Sequence, residues 1–565
     1  MSTEQTGQIV RTAGGLTDGP LMYPAYIGGE HVEPPDGRYV YTVPVRSVLE
    51  DTFAALRLKK DLDAGRVDPA AAGAAVTGGC ALADDDMMRR ALRAAAAAAP
   101  EWAKVPLGTR VEIGCRIGER LRERRDDIAE VLVAEGQPRS LAGPCLDEYW
   151  LADFSPETLQ WCAEQMYHER DEGCRRSLVR RVPDGVVCVN PPQNAATPNA
   201  LFGITALLAG NTVVVRAPRS VPLATTYALH EVVIPVLEEF GAPPGTLNVL
   251  CAPAAMDSWL DSPDVDDIVY IGGSEKGLEF ERAAVAAGKK PILELAGNDC
   301  CVVWRDADLD GAVRSLAENF RQSGQICNIP NQVIAHPAIA GELLERLVRV
   351  ARETRPGFPD EPGVVLTPVL MADSYFTDIQ EALAGGAELV HGGRRLEVDG
   401  SPSDTGLFLE PAILRVDGLR RAAGTGAVRN ETFSPLLPVV VPDLTDGLPD
   451  EAADGGPDGA VTDARAADDR LLDAVLAFLA GDRYGLRTSV WSNDERVIQR
   501  FVDGVTGCGV LNVNDSHSGF RPFLPTHGGT GLTGGVFGEA NYLMLRTSHL
   551  QGVGIVRPEM AASER

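Results

Sequence analysis

From Asp84 to Glu123 the chain alternates small apolar residues with charged ones at helical spacing. The run ALRAAAAAAPEW is built from strong helix formers and predicts a helix that Pro100 ends. Ile113, Ile117 and Leu121 recur every four residues beside Arg and Glu, which predicts a second, amphipathic helix. Upstream, YPAYIGGEH (Tyr23 to His31) reads as a strand with a Gly-Gly turn. Ser47 to Leu62 reads as a short helix with a basic end. Over 177–190 the pattern becomes β-rich, SLVRRVPDGVVCVN, with a PDG turn. A Pro-rich loop, PPQN, then leads into a helix, a Gly210-Asn211 turn and the strand Thr212 to Arg216. A helix from Val221 and strands at Thr246 to Leu250 and Asp267 to Ile271 follow. Strands alternating with helices over roughly 150–295 predict a mostly parallel α/β sheet. A second α/β region runs from about 296 to 540, with short strands at PVLM, LEPAIL and LPVVVP. Tyr542 to Gly552, YLMLRTSHLQG, reads as one last strand.

Composition narrows the function. The chain has 565 residues, 44% hydrophobic and 23% charged, enough for two or three domains with sizeable cores. Asp and Glu number 80 against 52 Lys and Arg, a net charge of -28. That argues against a nucleic-acid binder and against attachment to anionic membranes. Eleven Cys, thinly spread, imply no disulfide framework, and none has zinc-site spacing, so no metal is expected. No signal-peptide pattern or membrane-spanning run is legible, which leads to the expectation of a cytoplasmic protein. Residues 1–20 read as a polar arm, and Asp443 to Asp469 as an acidic, Gly-rich, solvent-exposed insertion.

Several positions could carry chemistry, each with a plainer alternative. Gly272, Gly273 and Gly277 in GGSEKG follow an apolar strand and open a helix, which suits a phosphate or a simple tight turn. Arg216 and Arg219 follow the strand TVVV at the ligand edge of an open sheet, where they hold a ribose or phosphate or are merely exposed. Glu294, in PILELAG, is a carboxylate in apolar surroundings, which suits a general base or a structural ion pair. Cys327, in SGQICNIP, has small and polar neighbours, which suits an accessible thiolate or a core residue. Asn194 is an oxyanion donor or an ordinary loop amide. Glu431 suits a ribose contact or a surface position, and Phe433 a cofactor ring or the core.

Taken together, these segments resemble the aldehyde dehydrogenase superfamily over roughly residues 80–550. The motifs are, in order, PPQN, AGNTVVVRAP, IGGSEKG, LELAGND, GQIC and ETFSPLLP, with GGTGLTGG from Gly528 resembling the family's Gly-rich closing segment. The resemblance implies an α/β fold with a Rossmann-type cofactor domain, a catalytic α/β domain and a small β oligomerisation element. The implied layout is an N-terminal extension over 1–79 and a cofactor domain over 80–295, interrupted by a hairpin near 172–189. A catalytic domain over 296–540 contains the 443–469 insertion, and a strand and tail occupy 541–565. It implies a homodimer or homotetramer acting on a small-molecule aldehyde with NADP or NAD. Cys327 matches the nucleophile, Glu294 the general base and Asn194 the oxyanion donor. Glu431 and Phe433 match the nicotinamide-ribose contacts, and Gly272 and Gly277 the cofactor loop.

Departures from the family pattern are Gln193 for an aromatic residue, Arg216 for a lysine, Gly273 for a serine and Ala296 for a glycine. Arg219 stands where many NAD-preferring relatives carry a glutamate, which tilts the expectation towards NADP. A coenzyme A-acylating enzyme or acyl reductase, and a noncatalytic scaffold of the same fold, are the alternatives. Phe320, Asn328, His517, Phe520 and His527 are candidate pocket residues by position alone.

Overall fold

A computed structural model describes residues 19–172, 175–253, 256–443, 464–538 and 540–556. Nearly all of the polar arm and most of the acidic insertion lie outside the described residues. The chain divides into two compact units. One holds the residues up to Asp266, with Phe358–Gly363 and the chain from Thr547 onward; the other holds Asp267–Gly357 and Val364–Arg546.

In the first unit Val186–Asn190, Thr212–Pro218 and Leu247–Ala252 lie side by side as parallel strands, with Thr212–Pro218 central. Every residue of the three is buried. That is why they read as mainly apolar runs, the mark of a parallel sheet covered on both faces. Ala25–Ile27 joins antiparallel and turns through Gly28 and Gly29 into Glu30–Val32. The helix Leu107–Glu123 buries Ile113, Ile117 and Leu121, as the four-residue spacing predicts.

Pro100 does not end its helix, which runs Asp85–Trp102. Proline removes one N–H, but close to a C-terminus that costs a single bond. The last turn is held from outside: Trp102 is buried, and its indole N–H donates to the Leu207 carbonyl at 2.9 Å. The Ser47–Leu62 segment is two helices, Val45–Glu50 and Thr52–Asp63, because Asp51 leaves helical geometry and caps the Ala54 N–H at 2.9 Å.

A separate antiparallel sheet in this unit joins Tyr167–Glu172, Arg175–Pro183 and Ser548–Val556. Arg175–Pro183 and Ser548–Val556 pair over nine residues, yet Tyr167–Glu172 is exposed throughout and Ser548–Val556 almost so. The closing strand starts later than its alternation suggests, since Leu543–Arg546 is a short helix with Leu543 and Met544 buried.

In the second unit a seven-stranded sheet runs in the order Glu388–His391, Ala412–Asp417, Leu436–Val441, Gln332–Ala335, Cys300–Val303, Arg487–Trp491, Val510–Val513. Only the Glu388–His391 edge is antiparallel. Cys300, Val302, Ile334, Val440 and Val490 meet Trp304 and Phe501 in one of its cores, so Cys300 is a packing residue there, and Cys301 beside it is buried as well. Pro368–Met371 is not a strand: Leu370 and Met371 are 81% and 87% exposed, and among the described residues only Val369 in this segment bonds to a neighbouring backbone, at the Leu407 carbonyl. Asp267–Ile271 and Lys290–Glu294 form a parallel pair joined by the helix Ser274–Ala286.

Candidate active site

Glu294 ends the strand Lys290–Glu294, and each of the five residues after it is fastened by a hydrogen bond, the first two to the same residue. The Leu295 N–H donates to the Thr533 carbonyl at 2.9 Å, and the Thr533 hydroxyl donates to the Ala296 carbonyl at 2.7 Å. The Gly297 N–H donates to Glu431 Oε1 at 3.1 Å. The Asn298 amide donates to the Val428 carbonyl at 3.0 Å, and the Asp299 carbonyl accepts from the Asn331 N–H at 2.8 Å. The Gly-rich segment after Gly528 is thus part of the wall behind Glu294.

The nucleophile candidate comes in from the other side of this segment. Cys327 lies in the loop between a kinked turn (317–324) and the strand Gln332–Ala335. A Cβ on Gly297 would overlap the Cys327 carbonyl oxygen, so only glycine permits that approach. Just upstream, Gln322, Ser323 and Gly324 all adopt positive φ, at 48°, 53° and 73°. The conformation is held by Ser323, whose hydroxyl donates to the Thr367 carbonyl at 2.7 Å and accepts the Thr367 N–H at 2.9 Å. Gly324 backs onto the Ser434 carbonyl, with no room for a side chain.

Electrostatically the site is crowded with acid. Glu294 is 1% exposed and neither of its carboxyl oxygens has a hydrogen-bonding partner among the described residues. Burial pushes its pKa well up, and Asp299 adds to the rise; Arg487 and the nearby Gly528 N–H oppose it. The Cys327 thiol is held well above its ordinary value, first by desolvation and then by Glu294, Glu431 and Asp299, with Arg487 opposing. Burial raises Glu431 to about 8, against the pull of the Gly297 N–H. The second unit therefore brings Cys327, Glu294 and Glu431 together.

The cofactor-loop glycines divide by role. The Gly272 N–H donates to the Glu294 carbonyl at 3.0 Å, tying the turn to the strand that ends on Glu294. Gly273 stands at the start of the helix Ser274–Ala286, exposed, with open space where a Cβ would point. Gly277 is buried, and a Cβ there would run into Leu295, so its smallness serves helix-to-strand packing. Phe433 is 37% exposed with φ 47°. Of the pocket candidates, Phe320, His517, Phe520 and His527 are all buried at 5% exposure or less. His517 and His527 are kept neutral, each with a pKa lowered to about 3 by desolvation. They are interior side chains, and proximity to the motifs in sequence said nothing of that. Asn328 is half-buried.

In the first unit, Asn194 lies half-buried in the turn that precedes the helix Ala196–Ile204. Arg216 points inward. It is 8% exposed, with Nε donating to Asn190 Oδ1 at 2.7 Å and a terminal nitrogen donating to the Ala252 carbonyl at 3.1 Å. Its guanidinium joins the ends of three neighbouring strands. Arg219, beyond the end of the same strand, is exposed. The helix after it has its first N–H groups occupied: Glu135 accepts from Leu223 and Ala224 at 2.7 and 3.0 Å. An anionic ligand at this edge would therefore meet Arg219 and not that helix terminus. Sequence reasoning overlooked Asp299 and Arg487. The available signal was an arginine inside RTSVW, a strand buried at every position.

Among the described residues no helix is long and apolar enough to cross a membrane, and no group of three or more His, Cys, Asp or Glu is placed to hold a metal ion.

Parallel α/β units, a glycine strand-to-helix turn and a half-buried thiol beside buried carboxyls suit a dinucleotide-dependent oxidoreductase. Residues 62–448 match the model of the aldehyde dehydrogenase family. A 3,6-anhydro-alpha-L-galactose dehydrogenase of Vibrio sp. (strain EJY3) is 28% identical over 467 residues, 80% of this chain and 88% of that one. A chloroplastic aminoaldehyde dehydrogenase of Arabidopsis thaliana is 28% identical over 476 residues, 79% of this chain and 84% of its own length. Among solved structures, betaine aldehyde dehydrogenase from Staphylococcus aureus with NAD+ aligns at TM-score 0.74 and 19% identity, covering 95% of each chain. Glyceraldehyde-3-phosphate dehydrogenase from Methanocaldococcus jannaschii with NADP aligns at 0.69 and 21%, covering 85% of this chain and 97% of that one. The chain belongs to the aldehyde dehydrogenase family and is an NAD(P)-dependent oxidoreductase acting on aldehydes.

Proposed function

We propose that the chain oxidises an aldehyde to a carboxylic acid through covalent chemistry on Cys327 and hydrolysis assisted by Glu294. The supporting observation is a buried Glu294 carboxyl, without a hydrogen-bonding partner among the described residues, brought beside the Cys327 thiol. The Cys327 thiolate adds to the carbonyl carbon, giving a thiohemiacetal. The Cys327 N–H and the Asn194 amide are assigned to the oxyanion, Asn194 by its place in PPQN. A dinucleotide held at this site would supply the hydride acceptor, and Cys327 would then carry the acyl group as a thioester. Glu294 takes a proton from water, which attacks the thioester carbonyl, releases the acid and restores the thiol.

The side chains fit a dinucleotide on two counts. Gly273 leaves open space at a helix start, and Glu431 places a carboxyl oxygen on the Gly297 N–H beside the thiol. Glu431 and Phe433 would meet the nicotinamide ribose and ring, and Gly272 and Gly273 the phosphates. Arg219 would take the adenosine end and favour NADP, and Arg216 would shape that edge from within.

Retention of Glu294 favours water over coenzyme A as the acyl acceptor. Product analysis with and without coenzyme A separates the two, and a Cys327→Ala chain with unchanged biological activity would favour a noncatalytic scaffold role. The exposed antiparallel sheet suits pairing between copies into a homodimer or homotetramer, and the cytoplasm is the proposed location. Titrating NAD and NADP against the protein tests the cofactor reading, and a strong NAD preference overturns it.

A further inference from the structure

Arg487 opens the strand Arg487–Trp491 and is 2% exposed. Burying a guanidinium is costly unless its donors are used. One terminal nitrogen donates to the His517 and Gly519 carbonyls, both at 3.1 Å, and the other to the Thr526 carbonyl at 2.6 Å. The guanidinium also stacks over Phe520, 4.7 Å from the ring centre. Its backbone N–H donates to Asp299 Oδ1 at 3.1 Å. The other Asp299 oxygen faces His517 Nε2 at 3.4 Å, and His517 Nδ1 meets the Ser489 hydroxyl at 2.7 Å. Two residues beyond Thr526, the Gly528 N–H is near enough to Glu294 to oppose the rise of its pKa. One side chain thus clasps three carbonyls of the 517–526 segment, while its backbone holds Asp299, five residues after Glu294.

The same residue meets an imbalance of charge. Cys327 is faced by Glu294 at a strand end, Asp299 after it and Glu431 from the 430–435 loop. Asp482 stands behind Asp299, and Glu318 beside the neutral His517. Arg487 is the cation that opposes these acids at both Cys327 and Glu294.

We propose that Arg487 is a positioning residue for the chemistry of Cys327, supplying the buried positive charge that lets the thiolate form while tying the 517–528 segment against Glu294. This rests on the reading of Cys327 as nucleophile, but it is tested without turnover.

The experiment is alkylation of Cys327 by iodoacetamide in the full chain, followed by mass spectrometry of the Cys327 peptide, with folding checked by thermal melts. The thiolate is the reacting form, so below the thiol pKa the rate scales with thiolate population. Arg487→Gln removes the charge and slows labelling about tenfold at a given pH, equivalent to one pH unit. Arg487→Lys keeps the charge but not the three-carbonyl clasp, so labelling stays within about threefold of the parent rate while kcat falls. If the arginine served only to hold the fold, both variants would loosen the loop and label faster; that result, or an unchanged rate in Arg487→Gln, overturns the proposal. If Arg487→Gln does not fold, Arg487→Lys decides alone, since faster labelling there contradicts the charge role. Cys327→Ala must abolish the labelled peptide. Should Cys327→Ala retain turnover, the reading of Cys327 as nucleophile fails, and the labelling comparison still reports on Arg487.

Discussion

Gly297 and Cys327 are in backbone contact: a methyl group on the glycine would occupy the position of the cysteine's carbonyl oxygen. The Gly297 N–H meanwhile binds Glu431. One glycine thus sets the spacing between the thiol loop, the segment that follows Glu294 and the Glu431 carboxyl.

Gly297→Ala should accordingly lose about 1–3 kcal/mol of stability, the usual cost of overpacking. It should also lower kcat by an order of magnitude or more, since small misplacements of reacting groups are costly. Denaturant unfolding and steady-state kinetics check this. Full activity in the alanine variant would mean that the backbone contact is not required.

Glu294→Gln should separate the two halves of the reaction. Hydride transfer in the first turnover persists and steady-state turnover drops about 10²–10⁴-fold, the usual contribution of a general base. Stopped-flow absorbance of the reduced nicotinamide reads both. Equal loss in burst and steady state would assign Glu294 to an earlier step.

Arg219→Glu should reverse the cofactor preference. A carboxylate repels the 2′-phosphate and accepts the ribose hydroxyls. The Kd for NADP should rise at least tenfold while that for NAD falls or holds, measured by isothermal titration. An unchanged ratio would remove Arg219 from the adenosine end.

Asp153 gives a stability signature independent of catalysis. It is 8% exposed with Oδ2 unpartnered, and burial raises its pKa to about 8. The folded chain therefore keeps a proton that the unfolded chain releases near pH 4. Stability from this group is full below that pH and declines by roughly 1.4 kcal/mol per pH unit as pH rises to about 8. Asp153→Asn should abolish that component, so the two unfolding free energies diverge between pH 5 and 8. Parallel pH curves would contradict the assignment.

The family and the alternating α/β units were legible in the sequence because their signals are local: IGGSEKG, LELAGND and GQIC are each read within a few residues, and mainly apolar runs marked the buried strands. What escaped is what arises from packing between distant segments. Pro100 is tolerated because Trp102 is anchored on Leu207. Arg216 resembles a ligand-edge cation until Asn190 and the Ala252 carbonyl are seen to hold it inside. Arg487 lies 160 residues from Cys327 in the chain, and no periodicity relates a strand arginine to a distant thiol.

The most direct test of the covalent mechanism is to mix the Glu294→Gln protein with aldehyde and NADP, quench within the first turnover and examine the Cys327 peptide by mass spectrometry. The mechanism predicts an acyl group on Cys327, heavier than the free thiol by the aldehyde mass less two hydrogens. An unmodified Cys327 after a full burst of reduced cofactor, or the acyl group on another residue, would contradict it.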